Sequence, residues 1–241
     1  MTALELRKVR HGFHGRPAVD DLSLRVDRGE VLALIGLNGA GKTTALRVLA
    51  GRLRPDAGAG HVLGAPSLRL PPAVAARFGQ LIDAPLCYPE LTVRENLILA
   101  ARLHGLDRRA AVRLAGETIE RFALSPWTAA RAASLSTGNR QRLGVATAIA
   151  HAPAAVILDE PTNALDPSGT VIVRETVRDL AAQGAGVLVS SHHLDEVSRV
   201  ADRIVAVHAG RVVGELPPGS PDLERRFFDL VLAADERAAA R

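Results

Sequence analysis

The sequence has a single cysteine, Cys87, so no disulfide can form within the chain, and a lone thiol fits a reducing compartment. Aromatic residues are only 3% of 241, too few to build a row of base-stacking rings. The arginines are scattered rather than gathered in a stripe, so no nucleic-acid partner is expected despite a net charge of +4. No apolar run reaches the ~20 residues that span a bilayer; VATAIAHAPAAVIL is broken by His151 and Pro153. The start, MTALELRKVR, lacks the apolar centre of a signal peptide. The chain is therefore expected to stay in the cytoplasm. Lysine occurs only at Lys8 and Lys42, so each asks for a reason.

What is present alternates strand with helix. EVLALIG (30–36), AAVILDEP (154–161) and GAGVLVSSHH (184–193) are short apolar runs with polar residues at their C-terminal ends, the pattern of strands buried on both faces. Helical spacing follows in NGAGKTTALRVLAG, ending at Gly51, and again over 167–182. RIVAVHAGRVVGEL (203–216) predicts a hairpin around Ala209-Gly210, and the segment before residue 30 alternates as antiparallel strands do. From Leu91 to Arg131 the pattern is helical throughout, with a capping box at Thr92 and Glu95 and a stop at Gly105. The expected architecture is α/β: a mainly parallel sheet core, an N-terminal antiparallel β-subdomain and an inserted α-helical subdomain. Residues 1–241 are read as one domain, its core at about 1–85 and 150–216, its helical part at about 86–149 and a C-terminal helix or tail at about 217–241.

Gly36-Leu37-Asn38-Gly39-Ala40-Gly41-Lys42-Thr43 satisfies G-x-x-x-x-G-K-[ST] between a buried strand and a helix. Glycines let backbone N–H groups curl around phosphate oxygens, and the helix N-terminus adds the positive end of its dipole. Lys42 would reach the outer phosphates and the Thr43 hydroxyl would ligate Mg²⁺. Asp159, ending a second buried strand, is placed to hold the same metal, and Glu160 to polarise a water for attack on the γ-phosphate.

These motifs, with three others in fixed order, resemble the ATP-binding cassette family, the nucleotide-binding subunits of ABC transporters. GLNGAGKTT, Gly36 through Thr44, resembles Walker A, and AVILDE resembles Walker B. LSTGNRQRL resembles the signature motif, ordinarily LSGGQ; NALD (163–166) resembles the D-loop and SSH (190–192) the switch-histidine segment. The resemblance runs from about Leu4 to Leu216 and implies a P-loop NTPase (RecA-like) core that binds ATP and Mg²⁺. It also implies that two cassettes sandwich each ATP, so Ser136, Thr137, Gly138 and Asn139 would meet a γ-phosphate bound on another subunit. Thr137 and Asn139 depart from the usual Gly and Gln: Thr137 keeps a small hydroxyl but loses backbone freedom at positive φ, Asn139 is one methylene shorter, and a working site is still expected.

The same resemblance implies a role in catalysis for His192 beside Glu160 and Lys42, and adenine stacking on Phe13, with His14 and Arg16 as alternatives. Asp83 rather than Gln80 matches the loop residue that touches the metal or its water. The implied protein is an ATPase subunit driving a separate transmembrane permease, peripheral at the inner face of the membrane. It would act as a homodimer or as a heterodimer with another cassette. The IDAP loop, the STG signature and the short C-terminus favour an exporter. The rival reading is an ABC-type regulatory or immunity protein that binds ATP without transport.

Overall fold

Two long strands open the chain in the computed structural model, which describes residues 1–239. β1 (Thr2–Phe13) and β2 (Arg16–Asp27) pair antiparallel around His14 and Gly15, both at positive φ, as a tight hairpin requires. β3 (Val31–Ile35) leads through the glycine-rich loop into α1 (Lys42–Leu49). β4 (Ala57–Val62) and β5 (Ala65–Pro66) then extend the first sheet to the order β2-β1-β4-β5. After a one-turn helix, α2 (Pro72–Ala75), comes β6 (Phe78–Leu81), followed by three helices: α3 (Val93–Leu103), α4 (Arg108–Arg121) and α5 (Thr137–Ile149). The remainder alternates: β7 (Ala155–Asp159), α6 (Pro167–Ala182), β8 (Gly186–Ser191), α7 (Leu194–Ser198), β9 (Arg203–His208), β10 (Arg211–Leu216) and α8 (Leu223–Ala239).

The second sheet has the order β10-β9-β3-β8-β7-β6, parallel except for the β9–β10 hairpin. Its central strands are buried along almost their whole length because both faces are covered. Leu32 and Leu34 of β3 pack with Leu46 and Leu49 of α1 and the inner face of the antiparallel sheet. Ala33 and Ile35, on the opposite face, pack with Val197, Leu223 and Phe227 of α7 and α8. A third cluster joins Val156, Leu158 and Val187 to the helices α3–α6. Three parallel strands, β3, β8 and β7, therefore lie side by side with their C-terminal ends along one edge, where ligands sit in such sheets.

The helical insert begins as its sequence predicts. Thr92 caps α3 by accepting from the Glu95 N–H at 3.2 Å, while Glu95 accepts from the Thr92 N–H at 2.8 Å, and Gly105 ends the helix at φ 93°. α5 lies so close to the segment after β6 that a Cβ on Gly144 would fall 2.5 Å from the Pro85 side chain. Among the described residues no helix is long and apolar enough to cross a membrane.

Between the ends of α3 and α5, the rings of His104 and His151 stack at 3.5 Å. Burial, reinforced by the neighbouring imidazole, lowers the His151 pKa from 6.5 to about 3; burial likewise lowers that of His104. Folding therefore disfavours the charged form of both rings. The unfolded chain takes up a proton at His151 near 6.5 that the folded chain refuses until about 3, so stability is complete above 6.5 and falls as pH drops through that window. Acidification from pH 7 to pH 5 should lower unfolding free energy by roughly 2 kcal/mol through His151 alone. Urea titrations at the two pH values measure this, and His151→Leu should flatten the difference; an unchanged difference would refute the assignment.

Candidate functional site

The loop between β3 and α1 is bent by backbone packing. Gly41 sits at φ 100° and its Cα faces the Ala18 carbonyl oxygen of β2, so any side chain there would run into that carbonyl. The turn between β9 and β10 holds the loop from another side: the Gly210 N–H donates to the Ala40 carbonyl at 2.9 Å, and the Gly210 carbonyl accepts from the Asp20 N–H. Among the described residues, the N–H groups of Gly39, Gly41, Lys42, Thr43 and Thr44 have no backbone acceptor. They gather at the N-terminus of a two-turn helix that has no side-chain cap, an arrangement suited to an anion.

Lys42 is 7% exposed, and its Nζ donates to the Gly36 carbonyl at 2.7 Å. Burial lowers its pKa, opposed by the charges of Glu160 and Asp159. A buried ammonium bonded to loop carbonyls retains strong donor capacity for phosphate oxygens. The cradle and this cation thus fit a polyphosphate.

β7 supplies the acidic side. The Thr43 hydroxyl donates to Asp159 Oδ2 at 3.0 Å, and the Ser190 hydroxyl of β8 bonds to Asp159 Oδ1. A hydroxyl and a carboxylate placed this way form a hard-oxygen pair of the kind Mg²⁺ prefers. Glu160 follows at φ 48°, an uncommon conformation for a residue with a side chain. It is held by its own N–H, which donates to Ser190 Oγ at 3.1 Å, and by the Gln141 amide, which donates to its carbonyl at 3.1 Å. The carboxylate then lies beside the ring of His192, with Nδ1 to Oε2 at 2.9 Å. The ends of β3, β7 and β8 thus bring Lys42, Thr43, Asp159, Glu160 and His192 together.

Two sets of expected site residues stand apart from that cluster. Ser136 caps α5 by accepting from the Asn139 N–H at 3.2 Å, and Thr137 is exposed at the first helical position. Gly138 meets the D-loop so closely that a Cβ would lie 2.6 Å from the Ala164 carbonyl. Among the described residues no hydrogen bond joins 136–139 to 36–44. Within one chain, then, the two anion-suited helix ends are separate. Phe13 sits beside the hairpin turn, 43% exposed.

Asp83 differs from its expected place among the metal-holding residues. Both its oxygens accept from Arg47 of α1, at 2.5 to 3.1 Å. The reason is local: Asp83 is at φ 70°, which turns it back over the last turn of α1, where a guanidinium is the nearest opposite charge. Gln80 lies within β6, its Oε1 buried without a partner, on a cavity shared with His104 and Thr147. Sequence reasoning missed Ser190, Gln141 and Arg47. Ser190 was the accessible one, a polar residue closing an apolar strand; the other two depend on contacts between elements distant in sequence.

Residues 19–163 match the family model described as ABC transporter. The chain is similar to the daunorubicin resistance ATP-binding protein DrrA3 of Streptomyces coeruleorubidus, 42% identical over 89% of this chain and 68% of that protein. It is also similar to the bacitracin transport ATP-binding protein BcrA of Bacillus licheniformis, 34% identical over 85% of this chain and 66% of that protein. It thus spans about two thirds of the length of these relatives. A solved ATP-binding subunit of an ABC transporter superposes with a TM-score of 0.83 at 34% identity, covering 95% of this chain and 94% of that one.

Proposed function

Because this chain belongs to the ATP-binding cassette family of ABC transporters, we propose that it is the ATP-hydrolysing subunit of an exporter, acting on a separate membrane permease. The observation that carries the reading is the 2.9 Å contact between His192 and Glu160 beside the linked Thr43, Asp159 and Ser190. An acid–base pair and a metal-suited oxygen pair meet there at the mouth of a phosphate cradle.

The division of labour follows from those contacts. Gly36, Asn38, Gly39, Ala40, Gly41 and Thr44 supply the loop and helix end that bind the phosphates, and Lys42 neutralises the outer ones. Thr43 and Asp159 would hold Mg²⁺. The metal, when bound, draws charge from the phosphate oxygens. Glu160 accepts the proton of the attacking water, and His192 fixes that carboxylate and faces the γ-phosphate. Ser136, Thr137, Gly138 and Asn139 read a γ-phosphate held by a second cassette, either another copy or a paralogue, since among the described residues no hydrogen bond joins them to their own P-loop. Phe13 stacks on adenine.

Export is proposed because relatives are named for daunorubicin resistance and bacitracin transport. The permease would hold the chain at the inner face of the membrane through the helical insert and the Asp83 loop. Residues 1–241 are taken as one cassette with the divisions given above.

Release of phosphate from Mg-ATP by the purified chain tests the reading; a chain that binds ATP yet turns none over would leave the rival, a binder without hydrolysis. The same assay places the loop after β6. Arg47 and Asp83 are each more than a third exposed, so their pair is weak and opens readily. Asp83→Ala should slow turnover about tenfold and Gln80→Ala less. A larger loss from Gln80→Ala would transfer the role to Gln80.

A further inference from the structure

Beside Phe13 near the hairpin tip lies the ring of His11. The two rings meet edge to face, centroids 4.7 Å apart at 83°. Both His11 ring nitrogens are shut off from solvent, and Nδ1 lies 3.4 Å from Asp56 Oδ1. Asp56 is anchored to the tip twice more: its Oδ2 accepts from the Gly12 N–H at 2.9 Å, and its own N–H donates to the Arg10 carbonyl at 2.8 Å. Asp56 therefore bonds the strand on both sides of His11, to Gly12 through its carboxylate and to Arg10 through its backbone N–H.

Asp56 belongs to the segment through which α1 passes into β4. The same helix that offers its N-terminus to phosphate thus carries, just past its C-terminus, the clamp on the hairpin tip. β2 touches the P-loop at Ala18, facing Gly41, and Arg16, which pairs with Phe13, lies two residues along the strand, or ~7 Å of extended chain. An exposed phenylalanine at a hairpin end would ordinarily sample several rotamers, and fixing one on binding would weaken the complex. Here a largely enclosed ring, with a carboxylate oxygen 3.4 Å from its Nδ1, already abuts it.

We propose that His11 and Asp56 are positioning residues that hold the Phe13 ring ready for the base, so that affinity for the adenine end of ATP depends on residues that never touch it. The inference rests on the reading of Phe13 as the adenine platform. The ligand class is a purine nucleotide; the phosphates are bound independently by the P-loop.

The test compares dissociation constants for Mg-ATP and for inorganic tripolyphosphate, measured by displacement of a fluorescent nucleotide, in Phe13→Ala, His11→Ala, Asp56→Ala and Asp56→Asn proteins. His11→Ala and Asp56→Ala should each weaken ATP about threefold to tenfold and leave tripolyphosphate unchanged, with KM rising and kcat unaltered. Asp56→Asn keeps an oxygen for the Gly12 N–H and should recover most of the loss. If Phe13→Ala weakens ATP selectively while His11→Ala does not, the positioning role is wrong and the platform stands. If Phe13→Ala weakens neither ligand selectively, the platform reading itself falls and the inference with it. Equal loss of both ligands in Asp56→Ala would mean a general loosening of α1 and would also overturn it. His11→Ala removes no backbone anchor, so it decides the matter should Asp56→Ala not fold.

Discussion

Glu160→Gln should reduce steady-state phosphate release by about a hundredfold to ten-thousandfold while leaving ATP binding intact. The amide is the same size as the carboxylate and can still bond to His192, so the 2.9 Å contact and the anchoring of residue 160 through Ser190 and Gln141 survive. What disappears is the capacity to accept a proton. With cleavage blocked, both halves of the proposed sandwich remain loaded. Light scattering on the variant should then show a shift with Mg-ATP from 25.4 kDa to about twice that mass, and no shift without it. In the proposed sandwich two helix N-termini, those of α1 and α5, would face one triphosphate from two chains. A dimer identifies the second cassette as another copy of this chain. A monomer that binds ATP but does not pair points to a different cassette as partner. Turnover equal to that of the parent would remove Glu160 from the mechanism.

Lys42→Met should separate binding from stability. In the P-loop the ammonium is buried and its pKa lowered by that burial; among the described residues its bonds are to the carbonyls of Gly36 and Leu37. Methionine fills a similar volume without charge, so the thermal midpoint in the absence of nucleotide should hold or rise. ATP affinity should fall on the order of 100-fold, the loss of charge-assisted bonds to the outer phosphates. ATP at a hundred times its dissociation constant stabilises the parent by about 2.7 kcal/mol, a midpoint shift of roughly 5 to 10 °C. That shift should shrink to roughly 1 °C in the variant at the same concentration, where ATP only matches its dissociation constant. A marked drop in the nucleotide-free midpoint would show instead that the ammonium braces the loop carbonyls.

Much of this site could be read from residues close together in the chain, because its main parts are local. A strand end, a glycine turn and a helix start occupy residues 31–49, and Asp159 and Glu160 close another strand. The buried strands and the capping box were legible for the same reason: apolar runs and Thr-x-x-Glu spacing are short-range signals. β4 was not. Its sequence, AGAGHV, has little strand propensity, and pairing with β1 makes it extended. Contacts between distant elements were also hidden. Arg47 with Asp83, Gln141 with Glu160, and Arg142 with Asp166 at 2.6 Å join residues whose separations follow no periodic rule. The Arg47 pair is the plainest case, since a match of motifs assigns a position but not the partner that position finds.

The place of β3 in the sheet bears on how the protein is made. Its two neighbours are β8 and β9, and the turn after β9 bonds to the P-loop through Gly210 and Ala40. A ribosome delivers the P-loop early but its flanking strands only after some 150 further residues. During that interval the glycine-rich segment lacks the walls that shape it, so ATP cannot act as a template for the nascent chain. Nucleotide capture becomes a late event in biosynthesis, and the long-range parallel pairing that precedes it should set the pace of maturation. Shortening the chain before Gly210 would thus give a product that carries every phosphate-binding residue and captures no phosphate.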